Sequence, residues 1–273
     1  MDKNKKILLI GGGKMGGALL TGWLQNGLDA AQFCIQEPNP EPALKALGVN
    51  IVAQASPNFS PDIVVLAIKP QMAAQVIPPL AEIVPAGCLF MSLLAGTSIA
   101  NLCDLIGPGH YFIRTMPNTP AALGRGITAL VAEPDMPEPL RAAAEWLMRA
   151  VGDIVWLARE DQINAATAIG GSGPAYVFHL AEALAGSGEA LGLEPDIAKR
   201  LAYQTVVGAG AMLATPDVEA GQLRGDVTSP GGTTEAALEI LLAQTGLGDL
   251  MRRATAAAFQ RARDLAEPDE DKS

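Results

Sequence analysis

A turn of four glycines within six residues constrains the fold of this chain more than any other feature. It follows an apolar run, Ile7–Ile10, and precedes a helical pattern over Gly17–Asn26. Gly11, Gly13 and Gly16 match the pattern G-x-G-x-x-G. Between a strand and a helix, the first glycine permits a tight turn, the second lets backbone approach a pyrophosphate, and the third allows close packing. The turn therefore predicts a nicotinamide dinucleotide at the positive end of the helix.

The first 160 residues alternate short apolar runs with helical patterns. We expect strands at Ile7–Ile10, Phe33–Gln36, Asn50–Val52, Ile63–Ile68, Cys88–Leu93, Tyr111–Thr115, Ile127–Ala132 and Ile154–Leu157. Further helices are expected at Pro42–Ala46, at Gln71–Ile83 with a break or kink near Pro78-Pro79, and at Pro139–Ala150. The continuously apolar run Ile63–Ile68 is typical of a parallel strand covered on both faces. This alternation predicts an α/β fold, with a Rossmann-type doubly wound sheet over residues 1–160.

The pattern changes after residue 160, where no convincing strand follows. We expect helices at Gln162–Ile169, Ala175–Leu191, Pro195–Ala214, Thr234–Gln244 and Leu247–Leu265. Their faces are rich in Ala, Gly and Ser, as in Val207–Ala211, and such faces let helices approach closely. We therefore predict an all-α domain over residues 161–266 that carries substrate residues and a dimer interface. The charged residues 267–273 are predicted to be a disordered tail.

The composition narrows the range of partners. The formal net charge is −10, whereas nucleic acids and anionic membranes require clustered Lys and Arg. No run approaches the ~18 apolar residues of a membrane span, and Ile7–Ile10 is too short for a signal peptide. Three cysteines are typical of free thiols in a reducing compartment, and two isolated histidines do not suggest a metal site. We therefore predict a cytoplasmic protein with a small-molecule substrate and no nucleic acid, membrane or metal partner.

An acidic residue ends the second predicted strand. Glu37 lies 21 positions after Gly16 (37 − 16), where a carboxylate can accept hydrogen bonds from the adenosine ribose. The same carboxylate repels a 2′-phosphate, and the nearest downstream cation is Lys45. Glu37 therefore favours NADH over NADPH as the cofactor, unless it is simply a solvated loop residue.

A second glycine turn precedes a later helix. The segment Ser229-Pro230-Gly231-Gly232 is unlike a helix, and Thr233 or Thr234 is placed to cap the helix that follows. A helix N-terminus that opens on two glycines can bind a small carboxylate on bare backbone amides. From these residues alone, an ordinary helix cap remains the other interpretation.

Five ordered motifs together resemble pyrroline-5-carboxylate reductase, the last enzyme of proline biosynthesis. The resemblance runs from Ile7 to about Leu265. The motifs are Gly11-Gly12-Gly13-Lys14-Met15, Leu66-Ala67-Ile68-Lys69-Pro70-Gln71, Arg114-Thr115-Met116-Pro117-Asn118-Thr119-Pro120, Gly171-Ser172-Gly173-Pro174-Ala175-Tyr176, and Val227 through Thr234. The resemblance implies reduction of the cyclic imine 1-pyrroline-5-carboxylate to L-proline with hydride from NADPH or NADH.

The resemblance also implies a set of site residues. The implied cofactor residues are Gly11, Gly12, Gly13, Lys14, Met15, Gly16, Glu37, Ala67, Ile68, Lys69, Pro70, Ala95, Gly96, Asn118 and Glu160. The implied substrate residues are Ser229, Gly231, Gly232, Thr233 and Thr234. Among them Thr234 is implied as the catalytic residue, with its hydroxyl near the imine nitrogen. The helical domain is implied to form a homodimer, or a larger ring of dimers.

Three positions depart from the usual family pattern, and other functions stay open. Lys14 stands where Asn is common, Gly170 replaces a Ser, and Glu37 occupies a position that is often small or hydroxylated in relatives that use NADPH. One alternative is a 3-hydroxyacid dehydrogenase, although its helical half requires a catalytic Lys and only Lys199 and Lys272 follow residue 160. The others are reduction of a related cyclic imine, such as the six-membered homologue, and a non-catalytic nucleotide sensor or scaffold.

Overall fold

The computed structural model describes residues 5–215 and 217–265, so the predicted tail at 267–273 lies outside the described residues. The chain divides into two compact units. One unit runs to Ser172 and takes in the chain again from Ala258, and the other is Gly173–Ala257. We call them the sheet unit and the helical unit; the domain boundary after residue 160 stays a prediction.

An eight-stranded sheet forms the centre of the sheet unit. Its strands are β1 (Ile7–Ile10), β2 (Phe33–Gln36), β3 (Asn50–Val52), β4 (Ile63–Leu66), β5 (Leu89–Ser92), β6 (Tyr111–Met116), β7 (Gly126–Ala132) and β8 (Gly152–Trp156). Their order is β3-β2-β1-β4-β5-β6-β7-β8. Each of these strands was expected from its apolar run, and the bounds differ from the expected ones by at most two residues. The α/β fold with a Rossmann-type sheet is therefore confirmed.

One pair of neighbouring strands is antiparallel. β6 and β7 run in opposite directions, whereas the other neighbouring pairs are parallel. The link between them is short and contains only a 3₁₀ turn, Thr119–Leu123. A parallel return would require a crossover of about a dozen residues or more, so the short link reverses the chain. The alternation of apolar runs did not predict this reversal.

Apolar side chains cover both faces of the sheet. Along β1, Ile7 and Leu9 belong to one core cluster, and Leu8 and Ile10 belong to the other. Successive side chains of a strand point to opposite faces, so a strand buried on both sides is continuously apolar. Trp23 packs in the first cluster and donates its indole N–H to the carbonyl oxygen of Leu147 at 2.9 Å.

The helices of the sheet unit are α1 (Lys14–Gln25), α2 (Pro42–Lys45), α3 (Ala73–Val76), α4 (Ile99–Ile106), α5 (Glu138–Arg149) and α6 (Ile163–Ala166). α1 begins at Lys14 rather than at Gly17, because Gly13 is its N-cap. The helix expected over Gln71–Ile83 is broken into α3 and flanking 3₁₀ turns, one of which starts at Pro78. The sequence patterns do not predict α4, which is capped by the Ser98 hydroxyl.

The helices that follow are α7 (Gly173–Ala190), α8 (Pro195–Leu213), α9 (Ala220–Asp226), α10 (Thr233–Leu241) and α11 (Leu247–Asp264). α7 and α8 pack through small residues: a Cβ atom on Gly188 would lie 3.0 Å from the Cβ of Ala198. Among the described residues of the helical unit, only Ala181, Ala198 and Ala202 are buried. In the part of the chain that the structure describes, no helix is long and apolar enough to cross a membrane.

Candidate active site

The loops that follow the parallel strands lie at one edge of the sheet. β1, β2, β4, β5 and β6 are mutually parallel, so their carboxyl ends meet at that edge. β1 lies between β2 and β4, so the strand order reverses direction at β1 and β4. In open α/β sheets, ligands bind in the crevice at this switch point. The predicted cofactor residues that follow these strands are Gly11–Gly16, Glu37, Ala67–Pro70, Ala95–Gly96 and Asn118.

Three glycines of the first turn have different physical reasons to be glycine. Gly11 has φ +99°, and a Cβ there would lie 2.6 Å from the carbonyl oxygen of Ala67. A Cβ on Gly16 would lie 2.1 Å from the carbonyl oxygen of Gly11. A Cβ on Gly13 would meet no atom within 4 Å, so this side of the turn is open. Gly11 and Gly16 therefore close the turn, and Gly13 leaves room for a ligand at the start of α1.

Gly12 joins the turn to the end of β2. Its N–H donates to Glu37 Oε2 at 2.9 Å, and Glu37 Oε1 accepts from the N–H of Asn39 at 3.1 Å. A Cβ on Gly12 would lie 2.3 Å from Leu44 Cδ2 on α2. Glu37 is half-buried and held by two backbone amides, so its carboxylate has a defined place beside the glycine turn. Glu37 is thus a backbone-bound loop residue, and its role toward the adenosine ribose stays a prediction.

The remaining residues at the first turn and after β4 divide into buried and exposed groups. Met15 packs against one core cluster and Ile68 against the other. The N–H of Ala67 donates to the carbonyl oxygen of Ile10 at 2.8 Å, which fixes the start of this loop. Lys14 and Lys69 are exposed, and Pro70 opens a short 3₁₀ turn. Two ammonium groups are therefore available at this edge of the sheet.

Glu160 reaches the loop that follows β5. Its Oε1 accepts from the N–H of Ile99 at 2.8 Å and from Arg114 Nη1 at 3.0 Å. The Arg114 side chain is only 8% exposed, so Glu160 balances a buried charge. Ile99 begins α4, and Ala95 and Gly96 lie in the loop just before it. The structure thus shows Glu160 bound to protein groups that support this loop.

The side-chain amide of Asn118 links two segments near the end of β6. Its Nδ2 donates to the carbonyl oxygen of Gly170 at 3.0 Å, and its Oδ1 accepts from the N–H of Ile127 at 3.0 Å. Gly170 belongs to a π-helical turn, Thr167–Gly171, and such turns are frequent at functional sites. Asn118 is buried and therefore holds this turn against the start of β7.

A cavity that the sequence did not indicate lies beyond the ends of β2 and β3. Its volume is about 250 Å³, and its lining includes the amide side chains of Gln36, Gln54 and Gln75. Gln36 Oε1 accepts from the N–H of Ala55 at 2.9 Å. These glutamines are far apart in sequence and match no motif, so only the folded chain brings them together. The cavity lies on the face of the sheet away from α1, because its lining residue Leu80 belongs to one core cluster and the buried apolar residues of α1 belong to the other.

The second glycine turn lies in the helical unit, between α9 and α10. Gly231 has φ +71°, and the N–H of Gly232 donates to the carbonyl oxygen of Ser229 at 2.9 Å. Gly232 is the N-cap of α10, which begins at Thr233. The predicted threonine cap is therefore wrong: both threonines lie inside the first helical turn, and no side chain caps the helix. Thr233 is exposed and Thr234 is half-buried.

Unpaired backbone amides at the two glycine turns allow both turns to bind an anion. The first three N–H groups of an α-helix have no acceptor within the helix, and the helix dipole adds positive potential there. These amides belong to Lys14, Met15 and Gly16 in α1, and to the first three residues of α10. Each turn can therefore bind an anion. Among the described residues, no group of three His, Cys, Asp or Glu side chains is arranged to hold a metal ion.

The fold and this edge of the sheet define a dinucleotide-binding oxidoreductase with a separate helical unit. Two family models match the chain: pyrroline-5-carboxylate reductase dimerisation at residues 160–265, and NADP oxidoreductase, coenzyme F420-dependent, at residues 6–96. Pyrroline-5-carboxylate reductase of Pseudomonas aeruginosa is 40% identical over 266 residues, which cover 96% of this chain and 97% of that protein. The chain therefore belongs to the pyrroline-5-carboxylate reductase family.

Solved structures agree with this assignment. A pyrroline-5-carboxylate reductase from Coxiella burnetii has a TM-score of 0.89 and 36% identity, and the match covers 97% of this chain and 100% of that one. The Plasmodium falciparum pyrroline carboxylate reductase with NADP bound has a TM-score of 0.82 and 26% identity, over 97% of this chain and 99% of that one. The chain is an NAD(P)H-dependent oxidoreductase that uses a nicotinamide cofactor.

Proposed function

We propose that this chain reduces 1-pyrroline-5-carboxylate to L-proline, the last step of proline biosynthesis. The observation that carries the proposal is the pair of glycine turns, each at the N-terminus of a helix, in a chain of this family. One turn suits a pyrophosphate and the other a small carboxylate. The bound cofactor supplies hydride to the imine carbon, and the protein supplies binding and orientation.

We assign the pyrophosphate of the cofactor to the first turn. The open side of Gly13 and the amides of Lys14 and Met15 suit it, because nothing in the described chain fills that side. The adenosine ribose fits beside Glu37, and the cavity at Gln36 offers amide groups for the adenine. Lys69 and Gly96, in the loops after β4 and β5, are assigned to the nicotinamide half.

The choice between the two cofactors rests on Glu37. Its carboxylate is held in place by the amides of Gly12 and Asn39, and a 2′-phosphate at the ribose would meet it as a like charge. We therefore propose that NADH is preferred. The Plasmodium relative has NADP bound, so the family as a whole is not restricted to NADH. The proposed preference of this chain therefore rests on Glu37.

We assign the substrate carboxylate to the second turn. Ser229, Gly231 and Gly232 shape the turn, and Thr233 presents both an amide and a hydroxyl. Thr234 is assigned to orient the imine nitrogen and to relay a proton from water, since a threonine hydroxyl is too weak an acid to protonate the imine alone. Most of the rate enhancement then comes from holding the two reactants in place.

We propose that the helical unit forms a homodimer. The buried residues in the described part of this unit are three alanines, whereas large apolar side chains such as Phe178, Leu201 and Val207 are 55–63% exposed. Gly208 and Gly210 have no neighbour within 4 Å of an added Cβ, so this stretch of α8 is free for close helix packing. A second chain would remove this apolar surface from water. Whether the dimers form a larger ring, and the cytoplasmic location, stay predictions.

The central test follows the oxidation of NADH and of NADPH with 1-pyrroline-5-carboxylate. The same assay with the six-membered cyclic imine tests the related imine as substrate. Reduction of NAD⁺ or NADP⁺ with a small 3-hydroxy acid tests the dehydrogenase alternative. We expect turnover with the five-membered imine, accompanied by formation of L-proline. No oxidation of either cofactor with that imine contradicts the proposal.

The homodimer is tested by light scattering on the purified chain and on Leu201→Glu. We expect the mass of two chains for the unaltered protein and a smaller mass for the variant. Leu123→Asp, at an exposed leucine of the sheet unit, is the matched control and keeps the larger mass. A monomeric unaltered protein contradicts the assignment.

A further inference from the structure

One carboxylate in the helical unit is bound to the second glycine turn itself. Glu235 Oε2 accepts the N–H of Gly231 at 2.6 Å. Both residues are exposed, and Gly231 is the residue of the turn with positive φ, +71°. The contact therefore binds the backbone at the residue of the turn whose φ is positive, Gly231.

This contact resembles a capping box that has been displaced by one residue. In a capping box, the side chain of the third helical residue reaches back to the N-cap amide. Here Glu235 is the third residue of α10, and it reaches past the N-cap to Gly231. A carboxylate in the first turn of a helix is also stabilised by the helix dipole. The position of Glu235 in the helix and the helix dipole therefore both favour the observed hydrogen bond.

The contact decides which amides remain for a ligand. The N–H of Gly231 is taken by Glu235, and the N–H of Gly232 is taken by the carbonyl oxygen of Ser229. The amides that remain are those of the first three helical residues, Thr233, Thr234 and Glu235. Gly231 thus shapes the turn rather than offering its own amide to an anion.

We propose that Glu235 is a positioning residue, which fixes this turn so that the amides of Thr233 and Thr234 face the substrate carboxylate. The assignment rests on the proposed function of the turn. Glu235 acts through Gly231 and does not touch the reacting atoms. Its loss frees the Gly231 amide and lets the turn relax, so the carboxylate of the substrate is held less well.

The test compares Glu235→Ala with Glu235→Gln, which keeps an acceptor oxygen for the Gly231 amide. Glu239→Ala is the matched control, because Glu239 is exposed on the same helix one turn further along. For each variant we measure KM for the imine, KM for the cofactor, and the inhibition constant of cyclopentanecarboxylate. The last is an unreactive ring carboxylate that reports on the carboxylate site alone. Circular dichroism checks that each variant is folded.

We expect Glu235→Ala to raise the imine KM and the inhibition constant together, by about fivefold. The cofactor KM stays unchanged, and Glu235→Gln restores both constants to within about twofold of the unaltered protein. Unchanged or lower constants in Glu235→Ala overturn the assignment, and a lower value identifies Glu235 as a competitor of the substrate. If the unaltered protein does not turn over the imine, the proposed function and this assignment fail together.

Discussion

The carboxylate of Glu37 accepts a hydrogen bond from the N–H of Gly12 at 2.9 Å, across 25 residues of chain. This bond connects the phosphate turn after β1 with the residue that follows β2. It keeps an anion beside the turn before any cofactor arrives. Cofactor choice and turn geometry therefore depend on the same pair of residues.

Replacing Glu37 with Gln is expected to shift cofactor preference toward NADPH. Gln keeps an acceptor for the Gly12 amide but removes the charge that opposes a 2′-phosphate. We expect kcat/KM with NADPH to rise about tenfold while that with NADH changes little, because like charges in contact cost affinity. Steady-state kinetics with both cofactors measures the ratio. An unchanged ratio contradicts the proposed role of the charge.

Two glycine-to-alanine changes are expected to separate folding from cofactor binding. Gly16→Ala places a Cβ against the Gly11 carbonyl and is expected to destabilise the sheet unit by about 3 kcal/mol. Gly13→Ala meets no chain atom within 4 Å and leaves the melting temperature nearly unchanged. It is expected to weaken cofactor binding by about tenfold, because the methyl group enters the ligand side of the turn. Thermal melting and calorimetric titration give the two quantities, and tight binding by Gly13→Ala counts against the assigned cofactor position.

Thr234→Ala is expected to lower turnover far more than it weakens cofactor binding. The loss of an oriented hydroxyl at the imine nitrogen predicts a fall in kcat of about a hundredfold. Thr245→Ala is the control, since Thr245 is exposed in the same unit and outside the turn. Rapid-mixing kinetics with saturating cofactor measures the effect. Turnover equal to that of the unaltered protein removes the assigned role.

Glu160→Ala is expected to destabilise the sheet unit through Arg114. The change leaves a guanidinium that is 8% exposed without its carboxylate, and leaves the Ile99 amide without its acceptor. Since Glu160 is itself one-third exposed, we expect a loss of about 2 kcal/mol in the free energy of unfolding. Asp161→Ala removes the exposed ion pair with Arg159 and leaves the unfolding midpoint in place. Equal midpoints for the two variants contradict this expectation.

The thiol of Cys88 is expected to be unreactive in the folded protein. Burial, with a smaller contribution from Asp62, raises the pKa of the Cys88 thiol to about 12. At pH 8 only about one such thiol in ten thousand is ionised, so a thiolate-specific reagent should modify half-exposed Cys103 first. Mass spectrometry after timed labelling identifies the order. Early labelling of Cys88 contradicts the buried position.

The raised pKa of Cys88 also predicts the direction of a pH effect on stability. The unfolded thiol ionises near pH 8.5, about the ordinary value, and the folded thiol ionises only near 12. Stabilisation by the protonated thiol is therefore complete below about pH 8.5 and is lost as the pH rises toward 12. Denaturant unfolding of the protein and of Cys88→Ala across this range measures the difference.

The central strands could be predicted from sequence because burial on both faces leaves a continuous apolar run, as in Ile63–Leu66. The reversal at β7 could not, because it depends on the length of a link that carries no periodic signal. The threonine cap, at Thr233 or Thr234, was predicted one or two residues too late. Gly and Thr are about equally preferred as N-cap residues. The sequence therefore offered no reason to choose Gly232 over the adjacent Thr233.

By itself, the sequence determined the chemistry of the two turns and the family of the chain, because glycine spacing and order are local properties. Only the tertiary structure decided which groups those turns contact. The bond between Gly12 and Glu37, the link from Glu160 to Arg114, and the three glutamines of the cavity join residues that are distant in sequence. Contacts between residues distant in sequence depend on strand order and helix packing, and a local sequence pattern predicts neither.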